Sequence, residues 1–112
     1  MIVLIPSYEP DEKLIRLLEA IVETGGGIDV LLVNDGSGGE YDAIFDRAGS
    51  LGCTVIGHPV NRGKGFALKR GFDYARRFFP GQDLVCADCD GQHSLVDILR
   101  VARGRSCRPT TR

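Results

Sequence analysis

The sequence predicts an α/β fold, a mainly parallel sheet with helices on both faces. Two observations carry this: short apolar runs rich in β-branched residues alternate with segments of helical period, and several of those runs are apolar throughout rather than at every second residue. Alternation of strand and helix calls for crossover connections and hence parallel strands, and an uninterrupted apolar strand must be covered on both sides.

Ile2–Ile5 is the first strand, with Pro6 expected to stop it. From about Asp11 to Glu23 the apolar residues Leu14, Leu17, Leu18 and Ile21 follow the i, i+3, i+4, i+7 stripe of a helix, closed by Gly25-Gly26-Gly27. Val30–Val33 is the second strand, and Tyr41, Ile44, Phe45 and Ala48 mark a short helix after it. Cys53–Gly57 is the third strand. A helix from about Gly65 to Phe79 follows, with Leu68, Phe72, Ala75 and Phe79 expected inward, and Pro80-Gly81 ends it. Asp83–Ala87 is the fourth strand, and Leu95, Ile98, Leu99 and Ala102 outline a last helix.

A chain of 112 residues, 43% hydrophobic and 26% charged, fits one such domain. Its formal charge of −1 is uneven, because residues 100–112 hold Arg100, Arg103, Arg105, Arg108 and Arg112 and no acid, leaving −6 on the remainder. That tail has no aromatic residues and no long cationic run, so it is expected to be solvated and disordered over residues 104–112, with no nucleic-acid partner. Met1 leads straight into a strand with no positively charged leader, no run approaches the length of a membrane span, and the four cysteines then suit reduced thiols in the cytoplasm.

Ligands of an open parallel sheet bind beyond the carboxyl ends of its strands. Here every such end is polar: Ser7-Tyr8-Glu9, Asn34-Asp35-Gly36-Ser37, His58 through Lys64, and Asp88-Cys89-Asp90-Gly91-Gln92-His93. Asp88 and Asp90 stand two apart at a strand end, so in extended geometry both carboxylates point to one side. Such a pair repels itself unless a cation intervenes, and hard oxygen ligands suit Mg²⁺ or Mn²⁺ shared with substrate phosphates; the competing role for Asp90 is a helix N-cap. Asp35 can accept a hydrogen bond from a base N–H or a ribose hydroxyl, with Gly36 permitting close approach, although Asn-Asp-Gly-Ser is also good turn sequence. Arg62 and Lys64 bring positive charge to a helix start that already favours an anion. The Gly63-Lys64-Gly65 string lacks the rest of either nucleotide-loop fingerprint, Cys86 and Cys89 lack a second pair at zinc spacing, and His58 reads as structural. A phosphoacceptor signalling domain would place its acids after strands one and three, whereas here they follow strands two and four.

Four segments in order carry a family resemblance: Val3 to Glu9, Leu32 to Ser37, Asn61 to Gly65 with Ala67 and Gly71, and Ala87 to His93. Together they resemble glycosyltransferase family 2, the inverting, GT-A-fold (Rossmann-like) enzymes that take a sugar from a nucleotide diphosphate. The resemblance implies that Pro6, Tyr8 and Glu9 border the base and ribose, that Asp35 contacts the nucleoside, and that Arg62 and Lys64 lie near the base or phosphates. Asp88 and Asp90 would form the D-x-D metal site, with Asp90 the direct ligand and Asp88 reaching ribose or metal-bound water. The donor would be UDP- or GDP-linked, and the Asp-Gly-Gln-His ending is similar to members that act on polyprenyl phosphates, which makes a polyprenyl phosphate or a saccharide the expected acceptor. Glu9 stands where Asn is usual and Asn34 where Asp is frequent. Because acceptor pocket and general base follow the D-x-D in this family, residues 1–103 are expected to be a truncated, partial GT-A domain that binds donor but does not complete transfer, with any membrane association supplied by sequence outside it. The alternative is a non-catalytic nucleotide-sugar-binding or assembly module that forms a homo-oligomer through its exposed sheet edge.

Overall fold

The computed structural model describes residues 1–24 and 27–87. Ile2–Ser7 forms the central strand β1, buried at every position. Asp29–Asp35 (β2), Thr54–His58 (β3) and Leu84–Cys86 (β4) complete a four-stranded sheet of order β3-β2-β1-β4. All three pairings are parallel, with Val3 opposite Val30 and Val85, and Asp35 opposite His58.

Successive strand residues point to opposite faces, and the two halves of the core follow that alternation. Val3, Ile5 and Leu32 pack with Leu14, Leu17, Leu18 and Ile21 of helix α1 (Glu12–Thr24) and with Phe45 and Ala48 of helix α2 (Asp42–Ser50). Ile2, Leu4, Leu31 and Val33 face helix α3 (Lys64–Phe78) on the other side. Helices therefore cover both faces, as the sequence predicts. Asp11 starts α1 as an N-cap, its Oδ1 accepting from Lys13 N–H at 2.9 Å. Tyr41 belongs to a 3-10 turn, Gly39–Tyr41, that leads into α2.

Two sequence expectations change. First, β1 does not stop at Pro6 but continues through it to Ser7, with Pro6 opposite Val33. Ile2 N–H donates to Asp83 O and Leu4 O accepts from Ala87, so even-numbered residues of β1 direct their backbone groups toward β4. By alternation the missing N–H of Pro6 lies on that side, past the last paired residue of β4, and the ladder to β2 is untouched.

Second, the residues of α3 nearest the sheet are small. Ala67, Gly71 and Ala75 are buried, while Leu68, Phe72 and Phe79 are half-buried along the flanks of the same core. A Cβ on Gly71 would lie 2.3 Å from Leu4 Cδ1. The close approach of α3 thus requires the missing side chain, and the larger residues pack around the contact rather than at it. The expected last helix, with Leu95, Ile98, Leu99 and Ala102, lies outside the described residues. No helix among the described residues is long and apolar enough to cross a membrane.

Candidate functional site

The chain goes from β1 outward to β2 and β3, then returns to the opposite side of β1 for β4. The gap between the carboxyl ends of β1 and β4 is therefore a topological switch point, where open α/β sheets bind ligands. Ser7, Asn34, Asp35 and His58 stand side by side at this rim, because the register pairs Ser7 with Asn34 and Asp35 with His58.

Asp35 is the hub. Its side chain is almost fully buried, and its carboxylate is filled by the chain between β3 and α3. Oδ1 lies 2.6 Å from His58 Nε2 and accepts Arg62 N–H at 2.8 Å; Oδ2 accepts from Asn61 Nδ2 at 3.1 Å, and the same amide also donates to Asp35 O at 3.1 Å. Burying a carboxylate is costly unless its acceptor positions are filled, and these donors fill them locally. Gly36 lets the loop come this near: its φ is +69°, and a Cβ there would lie 2.2 Å from Asn61 N. The space left by that glycine is thus occupied by protein backbone.

The loop after β1 is tied to the loop after β2. Ser37 N–H donates to Asn34 Oδ1 at 3.0 Å, and Ser37 Oγ accepts Glu9 N–H at 2.8 Å. That bond holds Glu9 at φ 49°, a left-handed conformation uncommon outside glycine. Tyr8 is half exposed beside it. The negative charge of Glu9, a hydrogen bond to its carboxylate and, to a lesser extent, burial and Asp35 raise the Tyr8 phenol above its ordinary value. Burial and then Glu9 raise Tyr41 likewise, so both phenols stay neutral donors near Glu9.

The Arg62 guanidinium sits over the Phe66 ring, 5.4 Å from its centroid, and the His58 ring meets Phe66 edge-on at 5.0 Å. Arg62 is therefore anchored twice, by its backbone on Asp35 and by its side chain on Phe66. Lys64 is the first residue of α3, at the positive end of that helix. A separate open groove of about 790 Å³ runs along α3 between Phe66 and Phe78, lined by Lys69, Arg70, Arg76 and Arg77; none of the sequence-predicted site residues lines it.

The structure thus brings Pro6, Tyr8, Glu9, Asp35, Arg62 and Lys64 to one rim. Asp88 and Asp90, the expected metal pair, lie outside the described residues, as does His93. Among the described residues no group of three or more His, Cys, Asp or Glu side chains could hold a metal ion. Three residues take part in the rim's hydrogen bonds beyond the expected site residues: His58, whose buried contact with Asp35 suits its structural reading, and Asn61 and Ser37, noted within motifs. The available signal was position, since each stands at or just past the polar end of a strand.

A search of curated proteins finds two from Methanocaldococcus jannaschii that are similar to this chain. The uncharacterized protein MJ1222 is 30% identical over 101 residues, covering 90% of this chain and 40% of its own length. The uncharacterized protein MJ0544 is 24% identical over 106 residues, covering 92% and 45% respectively. The chain therefore spans less than half the length of these relatives. The model of glycosyl transferase family 2 matches residues 2–103, nearly the whole chain, and the polar rim at the switch point of the parallel sheet accords with that match. On this ground the chain belongs to glycosyl transferase family 2.

Proposed function

We propose that this chain supplies the donor-binding part of a glycosyltransferase, taking a UDP- or GDP-linked sugar at the switch point of the sheet for transfer to an acceptor such as a polyprenyl phosphate or a saccharide. The observation that carries this reading is the rim itself, where the loops at three consecutive strand ends are hydrogen-bonded to one another through polar side chains and backbone N–H groups beside the end of β4. Pro6, Tyr8 and Glu9 border base and ribose, Asp35 contributes to the nucleoside contact, and Arg62 and Lys64 supply positive charge toward the phosphates. Asp88 and Asp90, which follow Ala87 in the sequence, are assigned to the metal and diphosphate by the family resemblance. These two would hold Mg²⁺ or Mn²⁺, which when bound stabilises the nucleoside diphosphate as leaving group. In this reading the residues of this chain bind and orient the donor.

Titration with uridine diphosphate, with and without Mn²⁺, tests the reading. Binding should strengthen with the metal, and Asp90→Ala should weaken the metal-dependent part by about tenfold or more. Metal-dependent binding unchanged in Asp90→Ala would remove the metal assignment, and no binding at all would remove the donor site.

A further inference from the structure

Cations are concentrated on α3 beyond those assigned to the donor. Residues 62–78 hold Arg62, Lys64, Lys69, Arg70, Arg76 and Arg77 against one acid, Asp73, whereas α1 and α2 on the other face of the sheet carry more acids than bases. The molecule is therefore electrically two-sided. Ala67, Gly71 and Ala75 turn one side of α3 to the sheet, which leaves the other side to Phe66, Arg70, Asp73 and Arg77, recurring at i, i+4, i+7 and i+11. Phe66 and Phe78 are 45% and 57% exposed and stand about 18 Å apart along the helix axis. The negative end of the helix accounts for Arg76 and Arg77 in the last turn. It accounts neither for Lys69 and Arg70 in mid-helix nor for two phenyl rings left in water at the ends of one cationic groove.

We propose that the outer side of α3 docks this protein on an anionic lipid bilayer, with the cations meeting headgroup phosphates and Phe66 and Phe78 entering the interfacial layer. Exposed phenyl rings beside long cationic side chains suit that layer, which is charged on one side and apolar on the other. Each cation held near an anionic leaflet adds to the attraction. The arrangement favours a bilayer over a nucleic acid. Asp73, paired with Arg76 at 3.2 Å, divides the groove's cations into Lys69 and Arg70 near Phe66, and Arg76 and Arg77 near Phe78. Headgroups diffuse laterally and gather at two separate groups, whereas a continuous phosphate backbone following the groove would pass the Asp73 carboxylate. Because Phe66 also contacts His58 and Arg62, docking on this side sets the polar rim close to the membrane surface. Nothing in this docking requires the donor reading.

Co-sedimentation of the full chain with vesicles tests this, using phosphatidylcholine alone and phosphatidylcholine mixed with phosphatidylserine, at low salt and without nucleotide. Wild type should bind the anionic vesicles about tenfold or more tightly than the neutral ones, and added salt should weaken that binding. Lys69→Gln/Arg70→Gln and Arg76→Gln/Arg77→Gln should each weaken it by about tenfold. Lys13→Gln/Arg16→Gln makes the same change of charge at exposed positions of α1 and should leave binding unchanged. Thermal melting checks that each variant is folded. The chain has no tryptophan, so Phe78→Trp supplies a single reporter whose emission should move to shorter wavelength on anionic vesicles. The proposal is overturned by equal binding to both kinds of vesicle, by an equal loss in the α1 variant, or by unshifted emission from bound Phe78→Trp. Binding kept in both α3 variants, as it would be if the arginines of residues 100–112 carried it, overturns it as well. Tighter binding to a single-stranded RNA than to the anionic vesicles at the same salt would put a nucleic acid in place of the bilayer and reject the proposal.

Discussion

Gly36 is the residue on which the rim geometry is most finely balanced. Alanine there would carry a left-handed backbone and press its Cβ into the Val60–Asn61 backbone, which cannot rotate aside as a side chain could. Gly36→Ala should destabilise the chain by about 2–4 kcal/mol, read as a lowered denaturation midpoint. Glu9 offers a second check at this scale. Because its charge is the largest cause of the raised Tyr8 phenol, Glu9→Gln should return Tyr8 toward the ordinary tyrosine value. An ultraviolet titration of the tyrosines checks this, with the tyrosinate transition moving to lower pH. The residue types at both positions were legible in the sequence, but their roles were not. Gly36 was read as room for a ligand and instead makes room for the chain's own loop.

At the scale of elements, α3 shows where periodicity succeeds and where it stops. The helical period identified the element and the burial of Ala75, yet Leu68, Phe72 and Phe79 were also assigned to the inward face, where the buried residues are Ala67, Gly71 and Ala75 and Gly71 comes closest against Leu4 of β1. Periodicity reports the direction of the apolar arc, and the arc runs from Ala67 through Phe72. It does not report how near the helix axis comes to the sheet, which depends on Leu4 across the interface. Gly71→Ala should cost about 1–3 kcal/mol by overpacking against Leu4. Adding Leu4→Val should recover part of that loss, and a double-mutant cycle of unfolding free energies measures the coupling.

The link between α1 and α2 makes a prediction of opposite weight. Arg47 hydrogen-bonds Glu12 at the surface, and this bond, followed by the charge of Arg47, lowers the Glu12 carboxyl below its ordinary value. A lowered carboxyl contributes stability that is present above the unfolded value and lost as pH falls through the folded one. Both side chains are about half exposed, so the effect is small and salt-sensitive. Glu12→Gln should therefore flatten, slightly, the acid-side fall of the melting temperature, and added salt should shrink the difference from wild type.

Across the whole molecule, the sequence alone determined the alternation of strands and helices, the parallel sheet covered on both faces, the gathering of polar residues at one rim and the family. Each of these follows from local pattern, because an apolar run, a helical stripe or a motif is complete within a few residues. Only the tertiary structure decided that β1 passes through Pro6 and that Asp35 spends its carboxylate on His58, Asn61 and Arg62. The physical reason is register. Asp35 and His58 are 23 residues apart, and they meet because β2 and β3 pair in one alignment that sets their Cα atoms opposite each other. A shift of β3 by one residue would turn His58 to the other face and leave the buried Asp35 carboxylate without that partner.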